Sequence, residues 1–141
     1  MRRYTMVAEK GCECGDTSTL AAGRRRLVFP CAGTSNVGQI SNTAALQLGD
    51  EGYGVPTCIA LLGSGDVALK RRIEEADEVV IIDGCSAVCG AKIAASQGVN
   101  AARHLVITDL GIEKAYTREI DAEQVERVVS AIWEGKGRWV L

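Results

Sequence analysis

Four short, unbroken apolar runs, residues 27–31 (LVFPC), 57–62 (TCIALL), 79–82 (VVII) and 105–108 (LVIT), alternate with stretches of helical periodicity, and nothing else in the chain restricts the fold so strongly. Runs this short, with no polar residue at every second position, suit strands buried on both faces. Between the first and second runs, Val37, Ile40, Ala44 and Leu48 recur at helical spacing and stop at Gly49 and Gly52. Leu69, Ile73 and Ala76 mark a shorter helix with Asp66 as N-cap. A third helix is predicted from Ser86 to Gln97, ending at Gly98. The fourth opens at Asp121, has Gln124 three residues on, carries Ala122, Val125, Val128, Val129, Ile132 and Trp133, and stops at Gly135. Strands alternating with helices make a parallel sheet with right-handed crossovers and helices on both faces. The expectation is a small three-layer α/β/α sandwich, flavodoxin-like or Rossmann-like, with a mostly parallel sheet of four to five strands in the order 2-1-3-4. At the end of the chain, Trp139 is read as packing on the sheet edge in preference to forming a fifth strand.

The chain of 141 residues is long enough to bury one core without covalent staples. Residues 27–141 are read as a single α/β domain. Residues 1–26, rich in Gly, Ser and Thr, are an irregular extension carrying a C-x-C, with Arg24-Arg25-Arg26 as a solvated junction. A formal net charge of -2 gives no reason to expect a nucleic acid or an anionic membrane as partner. No run approaches the ~20 apolar residues of a membrane span, and no apolar segment follows Met1-Arg2-Arg3 as in a signal peptide. A cytoplasmic location is therefore expected; protein partners and a homo-oligomeric state stay open.

That location bears on the six cysteines, Cys12, Cys14, Cys31, Cys58, Cys85 and Cys89. In a reducing compartment a cysteine-rich chain binds metal or performs thiol chemistry more readily than it builds disulfides, although a lone cysteine is also ordinary core filler. Cys31 falls at the carboxyl end of the first strand, Cys85 just past that of the third, and Cys89 in the first turn of the following helix. In the order 2-1-3-4, the first and third strands are neighbours whose connections leave in opposite directions, opening a ligand crevice at their carboxyl ends. At helical spacing, Cβ atoms four residues apart stand about 5–6 Å from each other, too far for an unstrained disulfide. Two thiolates on one zinc, with Zn–S near 2.3 Å, need sulfurs only ~3.8 Å apart, which such side chains reach by leaning together. Cys58 joins this site if the second strand is short; if that strand runs to Leu62, Cys58 lies about 13 Å below the crevice. Cys12 and Cys14 compete with it for the remaining ligand position.

The Pro30-Cys31-Ala32-Gly33 segment, Asn36-Val37-Gly38 opening a helix, Cys58, the Asp83-Gly84-Cys85-x-x-x-Cys89 core followed by Lys92, and Thr108-Asp109-Leu110-Gly111 together resemble the DGC-domain family, proteins proposed to bind zinc. The resemblance spans about residues 27 to 115. It implies four zinc ligands, carried here onto Cys31, Cys58, Cys85 and Cys89, and no established reaction.

Two thiol chemistries compete. The segment from Cys31 through Thr34-Ser35-Asn36-Val37 resembles the phosphate-binding loops of low-molecular-weight tyrosine phosphatases and phosphotransferase B components, where a thiolate attacks phosphorus within a cradle of N–H groups. Val37, however, stands where the phosphatase loop has its arginine. A thiol redox role is the other, with C-x-x-x-C in place of C-x-x-C. Of the remaining polar residues, Asp83 is read as the strand-end acceptor for turn N–H groups or as an outer-shell partner of a metal, and Asp109 as a reserve contact. Gly63-Ser64-Gly65-Asp66 is a turn into an N-cap, Lys92 lies on a solvated helix face, and His104 is placed at the sheet edge opposite the crevice.

Overall fold

The structure, a computed structural model, describes residues 24–99 and 102–140. The chain runs β1 (Arg26–Pro30), α1 (Asn36–Asp50), β2 (Val55–Pro56), α2 (Ile59–Gly63), α3 (Val67–Glu75), β3 (Glu78–Asp83), α4 (Cys89–Ser96), β4 (Ala102–Val106), a 3-10 turn (Ile107–Leu110), α5 (Ala122–Trp133) and β5 (Arg138–Val140). The sheet order is β2-β1-β3-β4-β5. Its first four strands are parallel, and β5 lies antiparallel to β4, pairing His104 with Arg138 and Ala102 with Val140. The expected α/β sandwich and the 2-1-3-4 order are as observed; the fifth strand, which the reading of Trp139 had set aside, is present.

Each face of the sheet carries its own core. Val28, Val80, Ile82 and Leu105 pack under α1 and α5 with Ile40, Leu48, Val128 and Ile132, whereas Leu27, Phe29, Val79 and Ile81 pack under the shorter helices with Leu62, Leu69 and Ala94. Strand residues alternate between the two clusters because successive Cβ atoms point to opposite faces. Both faces being apolar explains the uninterrupted runs. The expected caps are present: Asp66 and Asp121 accept from Leu69 N and Glu123 N, and Gly135 ends α5 in the left-handed region at φ 75°; Ser35, accepting from Gly38 N, caps α1.

Two strand boundaries move. Residues 57–62 do not form the second strand; β2 is Val55–Pro56, and the apolar run winds into α2, putting Leu62 into the core. Periodicity alone does not separate a short buried strand from a short helix, and β2 pairs only with Leu27 and Val28 at the sheet edge. The fourth strand starts earlier than residues 105–108, at Ala102, because Arg103 and His104 are buried in spite of their polarity. Arg103 bonds Glu78, the Tyr53 hydroxyl and Ile132 O, and Glu78 also holds Arg26, whose guanidinium lies 4.5 Å above the Tyr53 ring. With every buried side-chain polar atom among the described residues partnered, this cluster closes the amino edge of the sheet.

Candidate functional site

The Asp-Gly-Cys turn is built by contacts that leave little choice of residue at three of its positions. Asp83, 1% exposed at the end of β3, accepts from Gly90 N at 2.8 Å and Ala91 N at 3.0 Å, satisfying two first-turn donors of α4. A Cβ on Gly90 would stand 2.8 Å from Asp83 Oδ1, so the carboxylate reaches the helix only past a glycine. A Cβ on Gly84 would stand 2.9 Å from the Val37 carbonyl carbon; its absence lets the end of β3 lie against the start of α1. Between the cysteines the chain turns through Val88 at φ 46°, a left-handed conformation that is costly for a β-branched residue. Helix α4 therefore begins at Cys89, not at Ser86, and Cys85 belongs to the turn before it.

Cys31, Cys85 and Cys89 line one cavity of about 240 Å³ at the carboxyl edge, together with residues 32–35 and the start of α1. All are free thiols. Cys31 Sγ accepts from Gly84 N at 3.1 Å. Burial pushes this thiol above its ordinary value, outweighing the opposing bonds from Ser41 and Gly84, and the nearby charges of Asp83 and Cys85 act in the same upward direction as burial.

The outer wall comes from the segment after the 3-10 turn. Asn36, the first residue of α1, donates through Nδ2 to Glu113 O at 2.8 Å and accepts at Oδ1 from Ala115 N at 2.7 Å, while its own N–H donates to Ala115 O at 3.0 Å. This three-point clamp holds Lys114 and Tyr116 at the cavity, with Lys114 Nζ 3.5 Å from Cys85 Sγ and 5.6 Å from the Tyr116 ring centre. Sequence reading missed Lys114, which lies in a stretch without periodicity. Its one available signal was Asn36 within the Asn36-Val37-Gly38 motif.

The remaining candidates divide. Cys58 is the exposed N-cap of α2, just past the end of β2, and is not among the residues lining the cavity. Cys12 and Cys14 lie outside the described residues. Lys92 is exposed, as expected. His104 is not at the far edge: it sits inside β4, 8% exposed, with Nε2 2.7 Å from Asp83 Oδ2, so the histidine buttresses the carboxylate that holds α4. The misplacement followed directly from starting β4 three residues late. Asp109 and His104 line a separate cavity with Lys136 and Arg138.

Zinc suits the donor chemistry of the thiol cavity, since three soft sulfurs face one space. As the side chains stand, no three His, Cys, Asp or Glu groups among the described residues are close enough to hold an ion. Closing a site would take Cys31 from Gly84 N and Cys85 from Lys114. The phosphate-loop alternative meets an occupied helix start: Asn36 N is taken by Ala115 O and Gly38 N by Ser35 Oγ.

A sequence model of the DGC domain matches residues 27–132. The chain is 32% identical over 102 residues to the anaerobic and virulence modulator AnvM of Pseudomonas aeruginosa, covering 72% of this chain and 78% of that protein. No solved structure matches.

Proposed function

We propose, from the premise that this chain belongs to the DGC-domain family, that it binds one zinc-like ion through cysteine thiolates at the carboxyl edge of its sheet. Cys31, Cys85 and Cys89 are the core ligands. The observation that carries the reading is their convergence: three unpaired thiols from β1, the end of β3 and the start of α4 border one cavity. Cys58, exposed and outside that cavity, is the weaker candidate for the fourth position, for which Cys12 and Cys14 compete with it. A nucleophilic Cys31 in a phosphate-binding loop is less favoured, because Asn36 N and Gly38 N at the neighbouring helix start already have acceptors. The relative's description as an anaerobic modulator is compatible with a site that needs reduced thiols and a reducing, cytoplasmic setting.

Anaerobic zinc loading of the full chain tests this. Reduced protein should retain about one equivalent of zinc. Cys31→Ser, Cys85→Ser or Cys89→Ser should each weaken binding by about tenfold or more, with Cys58→Ser changing it less than about threefold. Protein that stays metal-free after loading rejects the proposal.

A further inference from the structure

We infer that the second cavity, behind the Asp-Gly-Cys turn, binds a small organic oxyanion that also carries a hydroxyl, with His104 and Arg138 as its contacts. The site is separate from the thiol cavity and does not depend on a metal there. On its wall is His104, the single histidine of the chain and 8% exposed. Asp83 already accepts from two N–H groups of α4, so its contact with Nε2 places the ring hydrogen on that nitrogen. Nδ1 is left as a lone pair with no partner among the described residues. Buried polar atoms are almost always bonded, and no described side chain has one sealed off without a partner, so Nδ1 opens into the cavity that its ring lines. A ligand hydroxyl meets it there.

Charge comes from the neighbouring strand. His104 and Arg138 stand opposite each other in the β4–β5 ladder, which puts both side chains on one face with Cβ atoms about 4.5–5.5 Å apart. Gly137 permits this approach: its φ is 126°, and a Cβ on it would stand 2.9 Å from His104 O. Arg138 is exposed and has no ion-pair partner among the described residues. Lys136, also on the wall, is held by Glu134 in a pair whose side chains are both 59% exposed, a contact that an incoming anion displaces at little cost. Against these two cations the lining has one carboxylate, Asp109, which repels a second anionic group and accepts from a further hydroxyl. The guanidinium fork suits a carboxylate or a phosphate equally. At about 630 Å³ the cavity falls within the range of small-molecule sites, and Val88 and Ala91 give it an apolar side.

The test labels the full chain with ¹⁵N-histidine, which reports His104 alone, and titrates it with glycerate and, separately, with glycerol 3-phosphate. The Nδ1 resonance should shift on binding, with a Kd of about 1 mM or below; the tighter of the two probes tells carboxylate from phosphate. Propionate, which lacks the hydroxyls, and glycerol, which lacks the charge, should bind at least about tenfold more weakly. Arg138→Gln should weaken the better probe by about tenfold and Arg138→Lys by less, with the histidine resonances of the free chain unchanged in both. The inference is overturned if neither probe moves Nδ1, if propionate and glycerol bind as well as the probes, or if Arg138→Gln binds as the parent chain does. None of these outcomes bears on zinc binding at the thiol cavity.

Discussion

Removing the Asp83 carboxylate should separate the two things it does, accepting hydrogen bonds and filling space. In Asp83→Ala the Gly90 and Ala91 N–H groups lose their acceptor and His104 Nε2 loses its partner. A buried donor left unpaired costs about 1–3 kcal/mol. Ala91 N is only partly buried and water can relieve it, so the sum comes to about 4 kcal/mol. Asp83→Asn retains an oxygen for Gly90 N, but Oδ2 serves both Ala91 N and His104 Nε2, and an amide nitrogen there opposes the Ala91 donor. That variant should lose about 2 kcal/mol. For a chain of 141 residues each kcal/mol lowers Tm by about 4 °C, giving drops of about 15 °C and 8 °C in thermal denaturation followed by circular dichroism. Equal losses in the two variants, or a loss below about 1 kcal/mol in Asp83→Ala, would show that the carboxylate is not the acceptor that holds α4, and the account of the Asp-Gly-Cys turn would fall.

Further outcomes follow from the same geometry. Gly84→Ala drives a Cβ to 2.9 Å from the Val37 backbone, whereas a Cβ on Gly33, in the neighbouring loop, meets nothing within 4 Å; urea unfolding should show a loss of about 2 kcal/mol for the first and under about 0.5 kcal/mol for the second. Glu78→Ala strands Arg103, whose side chain is 7% exposed, and should cost about 3–5 kcal/mol, more than Asp77→Ala at the exposed Arg25 pair. Burial raises the Tyr53 phenol above its ordinary 10.0, against the lowering effect of Arg103. The unfolded chain therefore releases this proton first, and stability that is complete below pH 10 is lost as pH rises through the raised value. Tyr53→Phe should flatten that alkaline decline, with phenolate absorbance at 295 nm reporting the ionisation.

What could be read from the residues, and what could not, divides by the range of the interaction. Asp66 and Asp121 cap their helices through bonds to residues three and two positions on, a distance at which a side chain declares its partner in the local pattern. Convergence of Cys31, Cys85 and Cys89 was also legible, although the residues are far apart in the chain, because handedness and strand order bring the ends of β1 and β3 together without reference to side chains. The misread start of β4 depends on polar partners chosen across the sheet. Arg103 is buried because Glu78 and Tyr53, 25 and 50 positions away, receive it, and His104 because Asp83 does. Polarity at those two positions argued against a strand, so β4 was read as starting at the next apolar residue, and the histidine was assigned to the wrong end of the sheet. Lys114 is the same case in the loops: its place beside Cys85 is set by Asn36, 77 and 79 positions from the backbone groups its side chain grips. A pattern of apolar spacing carries the scaffold, since burial of apolar area is additive and non-directional. The chemistry at its carboxyl edge depends on directional pairs, and each of those becomes readable only once the sheet has put both partners in reach.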